Sequence, residues 1–327
     1  MELFRRYLTP TSNDTRFEWL YCASPHGKGR AWLAYDRARC ALAGAAAAFP
    51  RRMSFNSTER FGWVLGDFCV AEQFRSLGLA LRLQRECLAA ISTAPFDFCY
   101  DFPSRGMSAV YKRLGLPHRG TIVRWARPIR SARQIEKIVP SKTLSRLLGA
   151  ATDNLLTRLY WKGEDSDVDL CLQDGRCGEE FTDFDRTIRK RLGLFTVRDA
   201  AYLNWRFLSH PSLRHEILTA RRAGRLLGYV VFSREIKDAS IVDLCCTEEP
   251  ALIARLISGA VDHLRRAGAT TISLNAGDKH PWTSIFHRVG FRPREESPVV
   301  FYERPGTSTS LVASSHAWYL MRGERDS

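Results

Sequence analysis

A chain of 327 residues is long for one hydrophobic core and comfortable for two domains of ordinary size. With 45% hydrophobic and 11% aromatic residues it has apolar surface to bury, which excludes a largely disordered protein. The net charge of +14 suits nucleic acid, an anionic membrane surface or phosphorylated ligands. The densest basic stretches, 124–133 and 186–191, lack the interleaved aromatics of a base-stacking surface, so solvated helix faces are expected there and nucleic acid is not.

The opening Met-Glu-Leu-Phe-Arg-Arg lacks the basic-then-apolar order of a secretory signal, so the expected compartment is the cytoplasm. The longest apolar stretch, 40–50, is rich in alanine and about half as long as a membrane-spanning helix, and reads as a buried strand. Nine cysteines, an odd number with no Cys-x-x-Cys pair, point to reduced, mostly buried thiols and to no metal. Cys245 and Cys246 are adjacent and face opposite sides of a strand on this reading. His26, His210 and His280 have no metal spacing and are expected at the surface or in a cleft.

In chain order, a Trp-bearing helix is followed by strands near 31–36, 41–49 and 61–70, then a helix over 79–90. A strand at 96–101, a helix at 105–114 and a strand at 120–127 close the first half. Residues 131–160 read as a helical connector with a break at Pro140. The second half gives a strand at 168–173, helices at 180–192 and 198–208, and strands at 214–221, 225–234 and 239–246. A helix at 250–267, a strand at 270–275, a helix at 281–289 and strands near 298–303 and 316–322 complete it. Helices and strands thus alternate on a mixed sheet.

The two halves repeat each other. Trp19-Leu-Tyr-Cys-Ala-Ser-Pro25 and Trp205-Arg-Phe-Leu-Ser-His-Pro211 share Trp-x-aromatic-x-x-x-Pro. A strand pair follows each, with Gly44 in one and Gly228 in the other, and Val110-Tyr-Lys-Arg-Leu-Gly-Leu116 recurs as Ile285-Phe-His-Arg-Val-Gly-Phe291. Three anchors in the same order predict duplication of one domain. The expected division is 1–130, a connector at 131–165, and 166–327.

The most informative stretch is 70–80, where an apolar strand passes through Arg75-x-x-Gly78-x-Ala80 into a helix. Gly78 and the small Ala80 let the backbone approach an anion, and the first amides and positive dipole end of the helix face it. Such a turn is suited to a pyrophosphate.

These residues resemble the GNAT acyltransferase superfamily, with Asp67-Phe-Cys-Val70 as its central strand, Arg75-x-x-Gly78-x-Ala80 as its turn and Tyr111-x-x-x-Gly115 on the later helix. The likeness covers nearly the whole chain apart from the connector. It implies an α/β (α+β) fold of two tandem domains, each a mixed, mainly antiparallel sheet flanked by helices. It also implies acetyl-CoA or another acyl-CoA as cofactor and a primary amine as acceptor. The second half, with Trp318-Tyr-Leu-Met-Arg-Gly323, is similar to tandem proteins of bacterial polysaccharide biosynthesis, which implies an amino sugar as acceptor. Fem-type aminoacyl transferases, which use charged transfer RNA, and a non-catalytic binding protein are the alternatives.

On this resemblance, backbone groups of Phe68, Cys69 and Val70 pair with the pantetheine arm. The amides of Arg75, Ser76, Leu77, Gly78, Leu79 and Ala80 hold the pyrophosphate. Asp67 and Asp101 are the candidate bases, and Tyr111 the acid for the departing thiolate. A lone Asp on a strand can equally be a structural acceptor, and Tyr111 a core aromatic like Phe286 at the matching place. In the second half the turn reads Cys246-Thr-Glu-Glu-Pro-Ala, without glycine and with carboxylates where a pyrophosphate would sit, so that copy is expected to be cofactor-free. The first half also lacks the opening strand and helix seen at 168–192, so either the second half completes its sheet or that edge is bare.

Overall fold

The computed structural model describes residues 2–10, 12–116, 118–130, 160–163, 167–234, 238–247, 249–303 and 318–325. Most of the expected connector at 131–165 lies outside them, as do the first two residues of the last strand expected at 316–322; the described remainder of that strand makes only isolated bridges, at Trp318 and Met321, before a 3-10 turn at Arg322–Glu324.

In the first half, α1 (Glu2–Tyr7) and α2 (Asp14–Phe17), which runs into a π-turn (Glu18–Cys22), precede β1 (Arg30–Asp36), β2 (Ala41–Phe55) and β3 (Thr58–Val70). Helix α3 (Leu77–Ile91), β4 (Phe98–Asp101), α4 (Arg105–Arg113) and β5 (His118–Pro128) follow. The second half contains β6 (Asp169–Leu172), α5 (Glu179–Ile188), β7 (Phe195–Thr196) and α6 (Ala200–Leu203), which also runs into a π-turn (Asn204–Leu208). Then come β8 (His215–Arg222), β9 (Arg225–Arg234), β10 (Asp238–Cys246), α7 (Pro250–Arg266), β11 (Thr271–Gly277), α8 (Thr283–Arg288) and β12 (Arg292–Glu303).

The expected mixed, mainly antiparallel sheet flanked by helices is present, but the two halves share one sheet. Among the described residues its order is β1-β2-β3-β4-β12-β5-β11-β10-β9-β8-β6, with β7 beside β2. Only β3–β4 and β10–β11 are parallel among these pairs, and each is joined by the helix a parallel crossover requires, α3 and α7 respectively. The halves exchange their last strands. β5 pairs with β11 and β12 of the second half, and β12 reaches back to pair with β4.

At this end of the sheet the second half contributes, among the described residues, β7 alone, beside the far end of β2, and β1 stands at the edge with Leu33 and Tyr35 exposed. The alanine run of β2 is fully buried, Ala45 to Ala48 being at most 1% exposed. Methyl-sized side chains on both faces let α3 pack closely, through Ala80, Leu83, Cys87 and Ile91 at helical spacing. Cys245 and Cys246 are both buried, and all nine cysteines are free.

His26 and His280 correct the sequence expectation. They are 7% and 2% exposed, His26 stacked on Tyr202 and His280 packed against Tyr319 and Phe286. Both imidazoles belong to aromatic core, and burial holds His280 down at about 3.

Candidate active site

The ladder between β3 and β4 ends at Val64 and Tyr100, and beyond it the two strands part. On its other side β3 bulges, because Ala45 pairs with Cys69 but Ala47 pairs with Gly66. Asp67 and Phe68 therefore face Ala46 alone, and Asp67 takes a left-handed φ of 42°. The bulge releases main-chain groups from the ladder just where the strands separate. A cleft of about 570 Å³ opens there, lined by Phe68 and Val70 of β3, Arg75, Ser76 and Ala80 of the turn, and Met107 and Val110 of α4. That size is ordinary for a cofactor arm.

Strand alternation sorts the residues picked out in the sequence. Phe68 and Val70 face the cleft, whereas Cys69 packs against Phe4 and Ala45, its thiol pushed up to about 11 by burial. The side chain of Leu79 lines a different hollow, beside Trp32 and Tyr35.

The turn is partly committed to itself. The Arg75 amide donates to Glu72 O, and Ser76 caps α3, its Oγ accepting from Leu79 N at 3.2 Å and its carbonyl from Ala80 N at 3.2 Å. The amide of Gly78, at the start of the helix, has no hydrogen bond to a partner among the described residues. A Cβ built on Gly78 meets nothing within 4 Å, and its φ is not positive, so neither packing nor backbone conformation requires glycine there. The space it leaves suits a group brought in from outside.

Of the proposed catalytic residues, Asp67 and Asp101 have different surroundings. Asp67 is 3% exposed, and its carboxylate accepts from Arg16 Nη1 at 2.9 Å, Arg16 Nη2 at 2.8 Å and Tyr21 Oη at 2.9 Å. Asp101, partly exposed at the end of β4, accepts from Tyr111 Oη at 2.5 Å and from Phe102 N at 2.7 Å. Burial pushes its carboxyl up to about 6 against the opposing hydrogen bonds and the more distant charge of Arg325. Tyr111 is 1% exposed, and burial beside the carboxylate holds its phenol protonated. The structure thus joins Asp101 to Tyr111 and sets Asp67 apart. Asp97, on the same alternating face as Asp101, is engaged by Phe61 N at 2.7 Å.

The second half has the same parting of strands without the space. The β10–β11 ladder ends at Ile241 and Leu274, and the C-terminal segment fills the gap beyond it. Met321 bridges to Ala276, Gly277 N donates to Leu320 O, and Tyr319 Oη donates to Leu244 O. Where the first half has Asp101 and Tyr111, the matching positions hold Ala276 and Phe286, both fully buried. Open turn, carboxylate and phenol occur together in one half and are missing together in the other. Glu248 of the second turn lies outside the described residues.

Sequence reasoning missed Arg16 and Tyr21, which reach Asp67 from a distant helix with no local spacing to announce them. It also missed Met107 and Ser104 on the cleft wall; the Ser76 cap was readable as a serine before a helix. In the basic stretches, Arg124 pairs with Glu295, Arg186 with Glu179 and Asp183, and Arg189 with Asp185, while Arg127 and Arg130 donate to the carbonyls of Val289 and Arg265.

No protein-family model matches the chain, and none of the curated proteins matches it in sequence. Its fold matches solved structures at low identity. A GCN5-related N-acetyltransferase from Anabaena variabilis ATCC 29413 is 12% identical, with a TM-score of 0.66 over 92% of this chain and 68% of that one. The N-myristoyltransferase of Saccharomyces cerevisiae with bound myristoyl-CoA is 12% identical, with a TM-score of 0.57 over 93% of this chain and 79% of that one. A further structure of that enzyme, with myristoyl-CoA and inhibitors, is 12% identical and gives 0.60 over 98% of this chain and 82% of that one. The chain therefore has the fold of the GCN5-related N-acetyltransferases and N-myristoyltransferases.

Proposed function

We propose that the chain is an acyl-CoA-dependent N-acyltransferase, with acetyl-CoA or a related acyl-CoA as donor and a primary amine, such as that of an amino sugar, as acceptor. The reading rests on the first-half cleft, with its bulged strand and a turn whose glycine faces open space. An acyl thioester supplies an activated carbonyl and a thiol leaving group. The amides of Leu77 and Gly78 hold the pyrophosphate with the charge of Arg75 nearby, and Phe68 and Val70 flank the pantetheine arm. Main-chain N–H groups freed by the bulge receive the carbonyl oxygen as it gains charge.

Asp101 accepts the proton released when the amine nitrogen bonds to the carbonyl carbon. Tyr111 gives its proton to the sulfur as the carbon–sulfur bond breaks, and regains one from Asp101 across their hydrogen bond, so the proton count closes. Asp67, with both oxygens engaged by Arg16 and Tyr21, is assigned to holding the bulge. Calorimetric titration with acetyl-CoA tests this. Binding by the wild type and its loss in Gly78→Glu support it, together with amine-dependent release of free thiol; a wild type that shows neither heat nor thermal shift sinks it.

A further inference from the structure

Helix α3 separates two hollows. Ala80 lines the cleft already described, whereas Leu79 lines a groove of about 420 Å³ between α3 and the edge strand β1. Trp32 and Tyr35 wall this groove from β1, and Arg82 and Glu86 from successive turns of α3. Trp32 packs on the core of the first half, and the Tyr35 ring is 56% exposed. The side chains of Arg82 and Glu86 have no hydrogen bond or ion pair among the described residues, and make none with each other across one helical turn.

The second half shows what an arginine at this place does when the groove is closed. Gly44 beside Leu83 and Gly228 beside Leu256 set the two helices in register, so Arg255 matches Arg82 and Gly259 matches Glu86. There β6 pairs with β8, and Leu170 and Leu218 fill the space at Gly259, where a Cβ would stand 2.5 Å from Leu170 Cδ1. Arg255 donates to Val168 O at 2.9 Å, just before β6. In the first half no strand lies outside β1 among the described residues, and Arg82 has no such carbonyl. The half with the intact cofactor turn is therefore the half with an open groove and an unspent guanidinium in it.

We propose that this groove takes the 3′-phosphoadenosine end of the acyl-CoA, with the base against Tyr35 and Trp32 and the 3′-phosphate on Arg82. The identity of the ligand rests on the acyltransferase reading. A donor whose thioester arm lies in the cleft and whose pyrophosphate sits at Gly78 passes into the groove over Leu79, the next residue of the helix. A purine gains from stacking on exposed aromatic rings, and a phosphate from the planar fork of a guanidinium. Glu86 suits the adenine amino group as an acceptor and repels phosphate, which fixes the direction in which the nucleotide lies.

The test is calorimetric titration, at constant ionic strength, of acetyl-CoA, its 3′-dephospho form and adenosine 3′,5′-bisphosphate into wild type, Arg82→Gln and Tyr35→Ala, both substitutions being at exposed positions. The wild type should bind acetyl-CoA roughly tenfold or more tightly than the dephospho form, and Arg82→Gln should remove most of that preference. Tyr35→Ala should weaken acetyl-CoA and adenosine bisphosphate by similar factors, since both carry the base. A wild type that does not tell the two donors apart, or a preference that Arg82→Gln leaves unchanged, overturns the inference while acetyl-CoA binding stands. Affinities that Tyr35→Ala leaves unchanged overturn the placing of the base. If adenosine bisphosphate binds in an Arg82-dependent way but acetyl-CoA does not bind, the acyltransferase reading fails and the groove stands as a nucleotide site. Silence from all three ligands removes both.

Discussion

Trp19 and Trp205 donate to each other: the Trp19 indole N–H bonds Trp205 O at 2.8 Å, and the Trp205 indole N–H bonds Trp19 O at 2.7 Å, with the rings stacked 5.2 Å apart. Each sits in a π-turn at the matching place of its half, where the wider helical turn frees a carbonyl for a side-chain donor. The sequence recurrence is thus a contact across an approximate two-fold relation, and the exchanged strands β5 and β12 follow the same relation. The halves are bound by their cores as well as by the chain.

Replacing either tryptophan by phenylalanine keeps most of the stack and leaves one buried carbonyl without its donor. Each single substitution should cost about 1–3 kcal/mol in urea denaturation. A loss below the error of extrapolation in both variants would contradict the reciprocal bond.

How far the fold was legible depends on whether a residue's role is local. The helix beginning near Gly78, the buried alanine strand and the repeat follow from spacing alone, and Gly44 and Gly228 show why such marks survive. A Cβ at Gly44 would stand 2.9 Å from Cys69 O, and one at Gly228 2.9 Å from Cys245 O. Each half needs glycine where β2 or β9 crosses its bulged neighbour. The exchange of β5 and β12 left no such mark, because a strand with apolar residues on one face pairs as well with one partner as another. The filling of the second cleft by Tyr319 and Met321 was equally hidden, since it depends on where the C-terminal segment returns. Asp67 looked like a base for the same reason: its partners Arg16 and Tyr21 lie far off in sequence.

The C-terminal turn is anchored by charge. Arg198 donates to Asp243 at 2.9 Å and to Glu324 at 2.5 Å, with all three side chains at most 2% exposed. Replacing Glu324 with alanine leaves part of a buried guanidinium unanswered and should cost about 3–5 kcal/mol. Arg186→Ala, which breaks exposed pairs with Glu179 and Asp183, should change stability by no more than about 0.5 kcal/mol. Equal losses in the two variants would show that burial does not govern these pairs.

At Gly78 stability and function should part. Because a Cβ there meets nothing within 4 Å and lies in the first turn of α3, Gly78→Ala should hold or raise stability, by up to about 1 kcal/mol. The same methyl occupies the space assigned to the pyrophosphate, so acetyl-CoA affinity should drop roughly tenfold or more, and further in Gly78→Glu. Thermal melts with and without acetyl-CoA read both quantities from one sample. A variant that melts lower yet binds acetyl-CoA normally would mean that the glycine serves the fold.

Asp101 gives the pH dependence its sign. Burial raises its carboxyl from 3.8 to about 6, so between those values the folded protein keeps a proton that the unfolded chain has released. Stability contributed by this group is full below its unfolded value and falls as the pH rises through about 6. The difference in unfolding free energy between wild type and Asp101→Asn should therefore decline with rising pH and level off by about pH 7. In catalysis the ionised form accepts the amine proton, so kcat/KM should rise with pH along a limb near 6. Tyr111→Phe removes a hydrogen bond that lowers the Asp101 pKa, and should shift that limb upward while slowing turnover by about 10²–10⁴-fold. A limb that stays in place without the phenol would separate Tyr111 from Asp101 and return the proton-accepting role to another group.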